Sequence, residues 1–358
     1  MIFELLKMCY DKGASDLHFK VGYPPILRID GTMMPQKLKV IDSNDYAIML
    51  ESILDDYQMV KFTEKQKLDL GYSFSNARFR VNLFYDYNGG SAVFRMIPFM
   101  QLTFDDVGLP KVARALIERP YGLILVTGAT GAGKSTTLST YISHINSTRP
   151  KCITTIEDPI EYIFEDKQSL ISQRQVGVDC RTFEEGIRGA LMTDVDVIMV
   201  GELRDSEAVN MTLTSAECGK LVFATLHSNT AMQAIDRFVN LFPQIQHDQV
   251  MSRLANCILG IITQTLIPKK TGKGRVAAFE ILLGLPMIRG LIAERRIHLI
   301  ASYLEAGGET GMCTLDQSLA QLVITGKITT EEALMRAGSL SGLKKLIEQG
   351  SEPIGKTV

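Results

Sequence analysis

One eight-residue segment limits the choice of fold more than any other. Gly128-Ala129-Thr130-Gly131-Ala132-Gly133-Lys134-Ser135 satisfies GxxxxGK[ST] at every fixed position, and Thr136 follows it. The apolar run Leu123-Ile124-Leu125-Val126 precedes it, and a segment of helical period over 135–146 comes after. In that context the glycines let backbone N–H groups curl around phosphate oxygens, while the helix N-terminus adds partial positive charge. Lys134 is placed to reach the β- and γ-phosphates and Ser135 to hold a magnesium ion. The segment reads as a nucleotide-binding P-loop with a place for Mg2+.

The surrounding pattern agrees with a P-loop fold. Four short apolar runs lack alternation: Leu123–Val126, Cys152–Ile156, Val195–Val200 and Leu221–Thr225. Segments of helical period separate them at 135–146, 182–192, 206–218 and 230–241, which predicts a doubly wound α/β sheet. From about Pro286 short helical patterns dominate, ending in a polar tail. Residues 1–97 read differently, as a small α+β domain. Ile2, Leu5, Leu6 and Cys9 mark one face of a helix, and a second helix near 43–54 opens at a cap on Ser43. Alternation over 15–19, 26–30, 77–83 and 90–97 predicts strands, the last two joined by the turn Asp86–Gly90. The expected division is 1–97, a linker over 98–110, and 111–358.

Composition closes off other classes. Thirty-eight Lys plus Arg against forty Asp plus Glu leave a net charge of −2, which argues against bulk nucleic acid or an anionic membrane as the main partner. The six cysteines are scattered without a CxxC pair, so neither a disulfide scaffold nor a cysteine zinc site is expected. No apolar run approaches the roughly 18 residues needed to span a bilayer. Glu4 and Lys7 interrupt the N-terminal apolar residues, unlike a signal peptide.

Further candidates lie at strand ends. Glu202 closes the run Val195–Val200 and can bring a carboxylate beside magnesium or the attacking water, whereas Asp196 at its start reads as structural. Thr155-Ile156-Glu157-Asp158-Pro159-Ile160-Glu161-Tyr162 clusters acidic groups after another strand, where they suit orientation of water. His227 follows the run 221–225, where a side chain could sense the γ-phosphate.

The order GATGAGKST, TIEDPIEY, VDVIMVGELRD, ATLHSN resembles the secretion ATPase superfamily, and most closely its type IV pilus retraction ATPases. The resemblance extends over nearly the whole chain, including Gly13–His18, Pro24–Gly31, Ala77–Asn82, Gly274–Ala278 and Thr314–Gln317. It implies a RecA-like P-loop ATPase domain preceded by a smaller PAS-like α+β domain, assembled as a homo-hexamer. Residue by residue it implies Glu161 as general base or water-positioning group, Glu202 as the Walker B carboxylate, His227 as the histidine-box residue, and Arg80 and Arg95 as charge-stabilising fingers. The implied function is ATP-driven pilus retraction and twitching motility. The ring would be cytoplasmic, acting on an inner-membrane platform protein, associated with the membrane only through partners, and working alongside a paralogous pilus ATPase. Extension-type relatives carry an additional N-terminal domain and a four-cysteine zinc motif, neither of which is read here. The tail 332–346 resembles one of two paralogous retraction types more than the other.

Several positions depart from the family pattern. Met192 stands where arginine is usual, Val195 where proline is, Lys220 where histidine is, and Asn88 where arginine is frequent. These leave a second reading, a ring subunit that binds ATP, hydrolyses it weakly and supports another motor. A nucleic-acid translocase is a third, disfavoured by the near-neutral charge and the absence of Trp. Pro286–Glu294 resembles the family's retraction element. Ile288, Leu291 and Ile292 are expected to face the core, leaving Arg289 outside for coupling to a moving neighbour.

Overall fold

The computed structural model describes residues 1–29, 31–75, 77–97 and 102–350. Asp30 of the strand expected over 26–30, the 98–101 part of the expected linker and the polar tail beyond 350 lie outside the described residues. The chain divides into two compact units, Met1–Met100 with Pro159–Ile163, and Gln101–Asp158 with Phe164–Val358.

The first unit contains α1 (Ile2–Asp11), β1 (Asp16–Lys20), β2 (Ile26–Ile29), β3 (Thr32–Pro35), α2 (Ser43–Ile53), α3 (Asp56–Lys65), β4 (Lys67–Phe74), β5 (Ala77–Asp86) and β6 (Gly89–Ile97). Its strands form one antiparallel sheet in the order β3-β2-β1-β6-β5-β4. The periodicity of α1 buries the four expected residues, Ile2, Leu5, Leu6 and Cys9, in one cluster with Leu17, Phe19, Phe79, Val81 and Phe94. Helix α2 begins where expected, but Asp42 caps it in place of Ser43. The Asp42 carboxylate accepts from Asp45 N at 2.8 Å while the Asp45 carboxylate accepts from Asp42 N at 3.1 Å, a reciprocal box that satisfies two orphan donors.

The second unit begins with α4 (Lys111–Arg114) and continues through β7 (Gly122–Thr127), α5 (Lys134–Thr148), β8 (Cys152–Glu157), β9 (Leu170–Gln175), α6 (Phe183–Leu191), β10 (Val197–Val200), α7 (Ser206–Glu217), β11 (Leu221–Leu226), α8 (Ala231–Asn240), α9 (His247–Cys257), β12 (Ile258–Pro268) and β13 (Arg275–Leu283). The sheet order is β13-β12-β7-β11-β10-β8-β9, parallel except for β13. Every residue of β7 and β11 is buried, as a sheet covered on both faces requires. Five helices follow: α10 (Pro286–Ala293), α11 (Ile300–Ala306), α12 (Leu315–Ile324), α13 (Thr330–Leu334) and α14 (Leu340–Gln349). No helix among the described residues is long and apolar enough to cross a membrane.

Two expectations need correction. The described part of the linker, 102–110, packs as part of the second unit. Phe104 and Leu109 are buried, Phe104 meets Tyr141 with ring centroids 5.4 Å apart, and the Arg114 guanidinium donates to Leu109 O at 2.7 Å. The second correction concerns 159–163, expected within the ATPase domain but belonging to the first unit. There Arg78 donates to Ile160 O at 3.2 Å, and Arg80 pairs with Glu161 at 3.7 Å.

Arg289 is also not free. Its guanidinium donates to three main-chain carbonyls, Gly284 at 2.8 Å, Asn256 at 3.0 Å and Ile258 at 2.7 Å, pinning the end of α9 to the start of β12. Ile288, Leu291 and Ile292 are buried as expected. Arg289→Ala strips three carbonyls of a charged donor at once, and is expected to destabilise the protein by on the order of 2–3 kcal/mol. A lower denaturation midpoint checks this; an unchanged midpoint with lost retraction would return Arg289 to a coupling role.

Candidate functional site

The P-loop joins β7 to α5 and owes its shape to its glycines. Gly128, Gly131 and Gly133 take φ of 148°, 78° and 89°, values that L side chains resist. Space is limiting as well: a Cβ on Gly128 would lie 2.4 Å from Gln264 O, and one on Gly133 2.7 Å from Gln264 Nε2. Lys134 opens α5 and folds back over the loop, its Nζ donating to Gly128 O at 2.9 Å and Ala129 O at 3.0 Å. Ser135 is exposed in the first turn of α5, next to the half-buried Thr136.

From Lys134 a chain of polar contacts crosses the ends of the parallel strands. Lys134 Nζ lies 3.3 Å from His227 Nδ1, and His227 Nε2 lies 3.1 Å from Glu202 Oε1. The other Glu202 oxygen accepts from Arg204 Nε at 2.8 Å, and Arg204 donates again to Asp158 at 2.9 Å. Thus Lys134, Glu202 and His227, expected in one site from three separate motifs, are brought together here. Glu157 turns inward instead, buried and accepting from Thr155 Oγ1 at 2.8 Å. Asp196 stitches neighbouring strands, its carboxylate accepting from Cys152 N at 2.9 Å and Lys151 Nζ at 3.0 Å.

The electrostatics of His227 follow from this chain. Burial, and then the Lys134 ammonium, hold its imidazole below the ordinary range, with Glu202 opposing. A depressed folded-state value means that the histidine contributes stability above its unfolded pKa of about 6.5, which is lost as pH falls through the folded value. The stability difference between wild type and His227→Gln should therefore be flat above about pH 6.5 and shrink in more acidic buffer. Thermal melts from pH 8 to pH 5 measure it; a constant difference would remove His227 from the Lys134–Glu202 chain.

Among the described residues no group of three or more His, Cys, Asp or Glu forms a metal cage. Magnesium does not need one, because it binds through one or two protein oxygens together with substrate phosphates and water. An exposed Ser135 hydroxyl and a Glu202 carboxylate linked to the P-loop lysine through one imidazole fit that ion.

The remaining expected residues sit in the first unit. Arg80 on β5 and Arg95 on β6 are register partners, two cations directly opposite one another. Such a pair is unfavourable unless anions intervene. Arg80 is held by both Asp69 oxygens, at 3.3 and 2.6 Å, and by Glu161. Arg95 Nε donates to the buried Asp16 at 2.9 Å, with the rest of its side chain largely exposed.

Two residues escaped the sequence reading. Gln264 on β12 braces the P-loop, donating to Ala132 O at 2.6 Å and accepting from Thr137 Oγ1 at 2.7 Å. The signal was available as Thr263-Gln264, a polar pair inside an apolar run. Arg204, bridging Glu202 and Asp158, lies two residues after Glu202 and could have been found from charge pairing. Of the departures, Met192 ends α6 with its side chain 82% exposed, and Asn88 lies in the β5–β6 turn.

The profile of a family described as Type II/IV secretion system protein matches residues 1–296. The chain is 43% identical to the type IV pilus retraction ATPase PilT of Pseudomonas aeruginosa, covering 94% of this chain and 98% of that one. It is 36% identical to the type IV pilus ATPase PilU of the same organism, covering 98% and 93%. The fold superimposes on a crystal structure of the pilus retraction motor PilT with bound ADP at a TM-score of 0.88, with 40% identity over 96% of this chain and 99% of the other.

Proposed function

The chain belongs to the Type II/IV secretion system protein family, and from that premise we propose that it is an ATP-hydrolysing motor powering retraction of a type IV pilus. The observation that carries the reading is the chain Lys134–His227–Glu202, which unites the phosphate-binding lysine, a polar sensor and a carboxylate within about one side chain of each other. A PilT relative alike over nearly its whole length supports the same reading.

Gly128 to Thr136 cradle the phosphates of ATP, and Ser135 and Glu202 are the residues that would hold Mg2+, which would supply positive charge to the phosphates. Water attacks the γ-phosphorus, ADP leaves, and Glu161 accepts the proton of the attacking water. Arg80 and Arg95 stabilise the transition-state charge on a nucleotide held by another copy in a six-membered ring. A PAS-like domain built on residues 1–97 with 159–163, and an ATPase domain from 102 onward, are the working parts, and an inner-membrane platform protein receives the force. The ring works from the cytoplasmic face of the inner membrane, reaching it through partners, with a paralogous pilus ATPase as companion.

The test pairs steady-state Mg·ATP hydrolysis by purified protein with pilus retraction in cells lacking the native gene. Hydrolysis with restored retraction is expected. Retraction that needs a second motor, together with negligible hydrolysis, would establish the accessory ring subunit instead.

A further inference from the structure

A cavity of about 440 Å³ lies in the second unit, at the end of the sheet remote from the P-loop. Gly122, where β7 begins, and Leu259, near the start of β12, both line it, whereas the P-loop follows Thr127 at the other end of β7. The six residues of β7, roughly 20 Å of strand, separate the two places. The volume is that of an ordinary ligand site. Its lining is of two kinds. Leu116, Leu259, Leu283 and Leu285 supply apolar surface, while Arg119, Asn256 and Arg289 supply polar groups, and no carboxylate is among the lining residues. The three carbonyls that hold Arg289 satisfy its N–H groups without cancelling its charge. The Arg119 and Asn256 side chains have no hydrogen-bond or ion-pair partner among the described residues. Glu118, the acid next to Arg119 in sequence, is taken by Arg149. Two guanidinium charges beside a leucine wall, with no anion to balance them, favour the entry of a negative group, and the apolar surface strengthens that attraction.

We propose that this cavity binds a small amphipathic organic carboxylate, its apolar body against the leucines and its carboxylate on the guanidinium of Arg119. The inference goes beyond the ATPase reading and does not depend on it. A carboxylate fits because one open arginine fork offers two parallel N–H donors to two oxygens. Arg289 has already committed three N–H groups to carbonyls, so it contributes charge more than bonds. A phosphate dianion would call for more free donors than that single fork provides.

The chain contains no Trp, so a dansyl group reports binding without competing indole emission. The experiment titrates the full-length protein with dansylglycine, a carboxylate on an apolar ring system, and in parallel with neutral dansylamide and cationic dansylcadaverine, each with and without excess Mg·ADP. Dansylglycine should saturate a single site per chain, bind about tenfold or more tightly than dansylamide, and be indifferent to Mg·ADP, with dansylcadaverine the weakest of the three. Arg119→Ala should erase the preference for the carboxylate while melting temperature and ATP hydrolysis stay as in wild type, because that side chain holds nothing within the second unit. Asn256→Phe, which adds a ring at a lining position, should weaken all three probes. The proposal is overturned by an absence of saturable binding, by equal affinity for dansylglycine and dansylamide, or by displacement with Mg·ADP. It is overturned equally by a carboxylate preference that survives Arg119→Ala, or by affinities that Asn256→Phe leaves untouched.

Discussion

Arg95→Ala is expected to lower ATP hydrolysis by about 10³-fold or more, in line with the usual effect of losing an arginine finger, while nucleotide affinity stays close to wild type. The proposed finger role draws on the setting of this residue. Its Nε is fixed on the buried Asp16, and its side chain is 67% exposed. Its register partner Arg80 adds a second cation beside it. Asp69 and Glu161 balance the Arg80 cation and Asp16 balances Arg95, so the opposed pair is already compensated within the first unit. An effect realised only in the transition state lowers kcat rather than affinity. Arg95→Lys should recover little, because an ammonium on a flexible stem lacks the planar fork that Asp16 orients. The measurement is kcat and analogue binding on a variant whose circular dichroism matches wild type. Wild-type kcat in that variant, or full activity in a verified monomer, would sink the shared-site assignment.

Much of this arrangement was legible in the sequence, and the parts that were not have physical causes. Buried parallel strands lose their alternation, so β7, β8, β10 and β11 stand out as apolar runs, and the P-loop fixes the end of the sheet where the site must lie. The edge strand β9 does not stand out, because its residues Leu170 to Gln175 are mixed in exposure and form no continuous run. Helix α3 buries only Phe62, too little to impose an apolar period. Strand β12 was hidden differently: its apolar run follows directly on α9, and length and period do not separate a long buried strand from a helix there. For the site, motif spacing placed Lys134, Glu202 and His227 together, since each follows a parallel strand. It could not foresee that Arg289 would be consumed by main-chain carbonyls, because a helix wheel shows which face is polar but not what that face meets. Nor could it place 159–163. Strand β8 ends at Glu157 and the chain turns through Pro159, after which Arg78 and Arg80 capture Ile160 and Glu161 into the first unit.

That capture makes Glu161 the most informative single carboxylate to change. Glu161→Gln is expected to bind ATP normally and to hydrolyse it about 10²–10⁴-fold more slowly, because an amide cannot accept a proton from the attacking water. Its ion pair with Arg80 is partly exposed at 3.7 Å, and Asp69 remains on the same guanidinium, so the substitution should barely alter the melting temperature. A stability change therefore cannot stand in for a chemical one. Arg80 also permits a sharper test than either variant alone. In a ring built of one variant every site loses both groups, so if Glu161 moves the proton while Arg80 of another copy stabilises charge in the same transition state, the Glu161→Gln/Arg80→Ala double variant should be far less impaired than the product of the two single losses, as groups acting as a unit are strongly non-additive. Losses that simply multiply would mean that the two residues act independently. Wild-type turnover in Glu161→Gln under saturating ATP would transfer the base to another carboxylate, with Glu202, already joined to the P-loop lysine through His227, the first to examine.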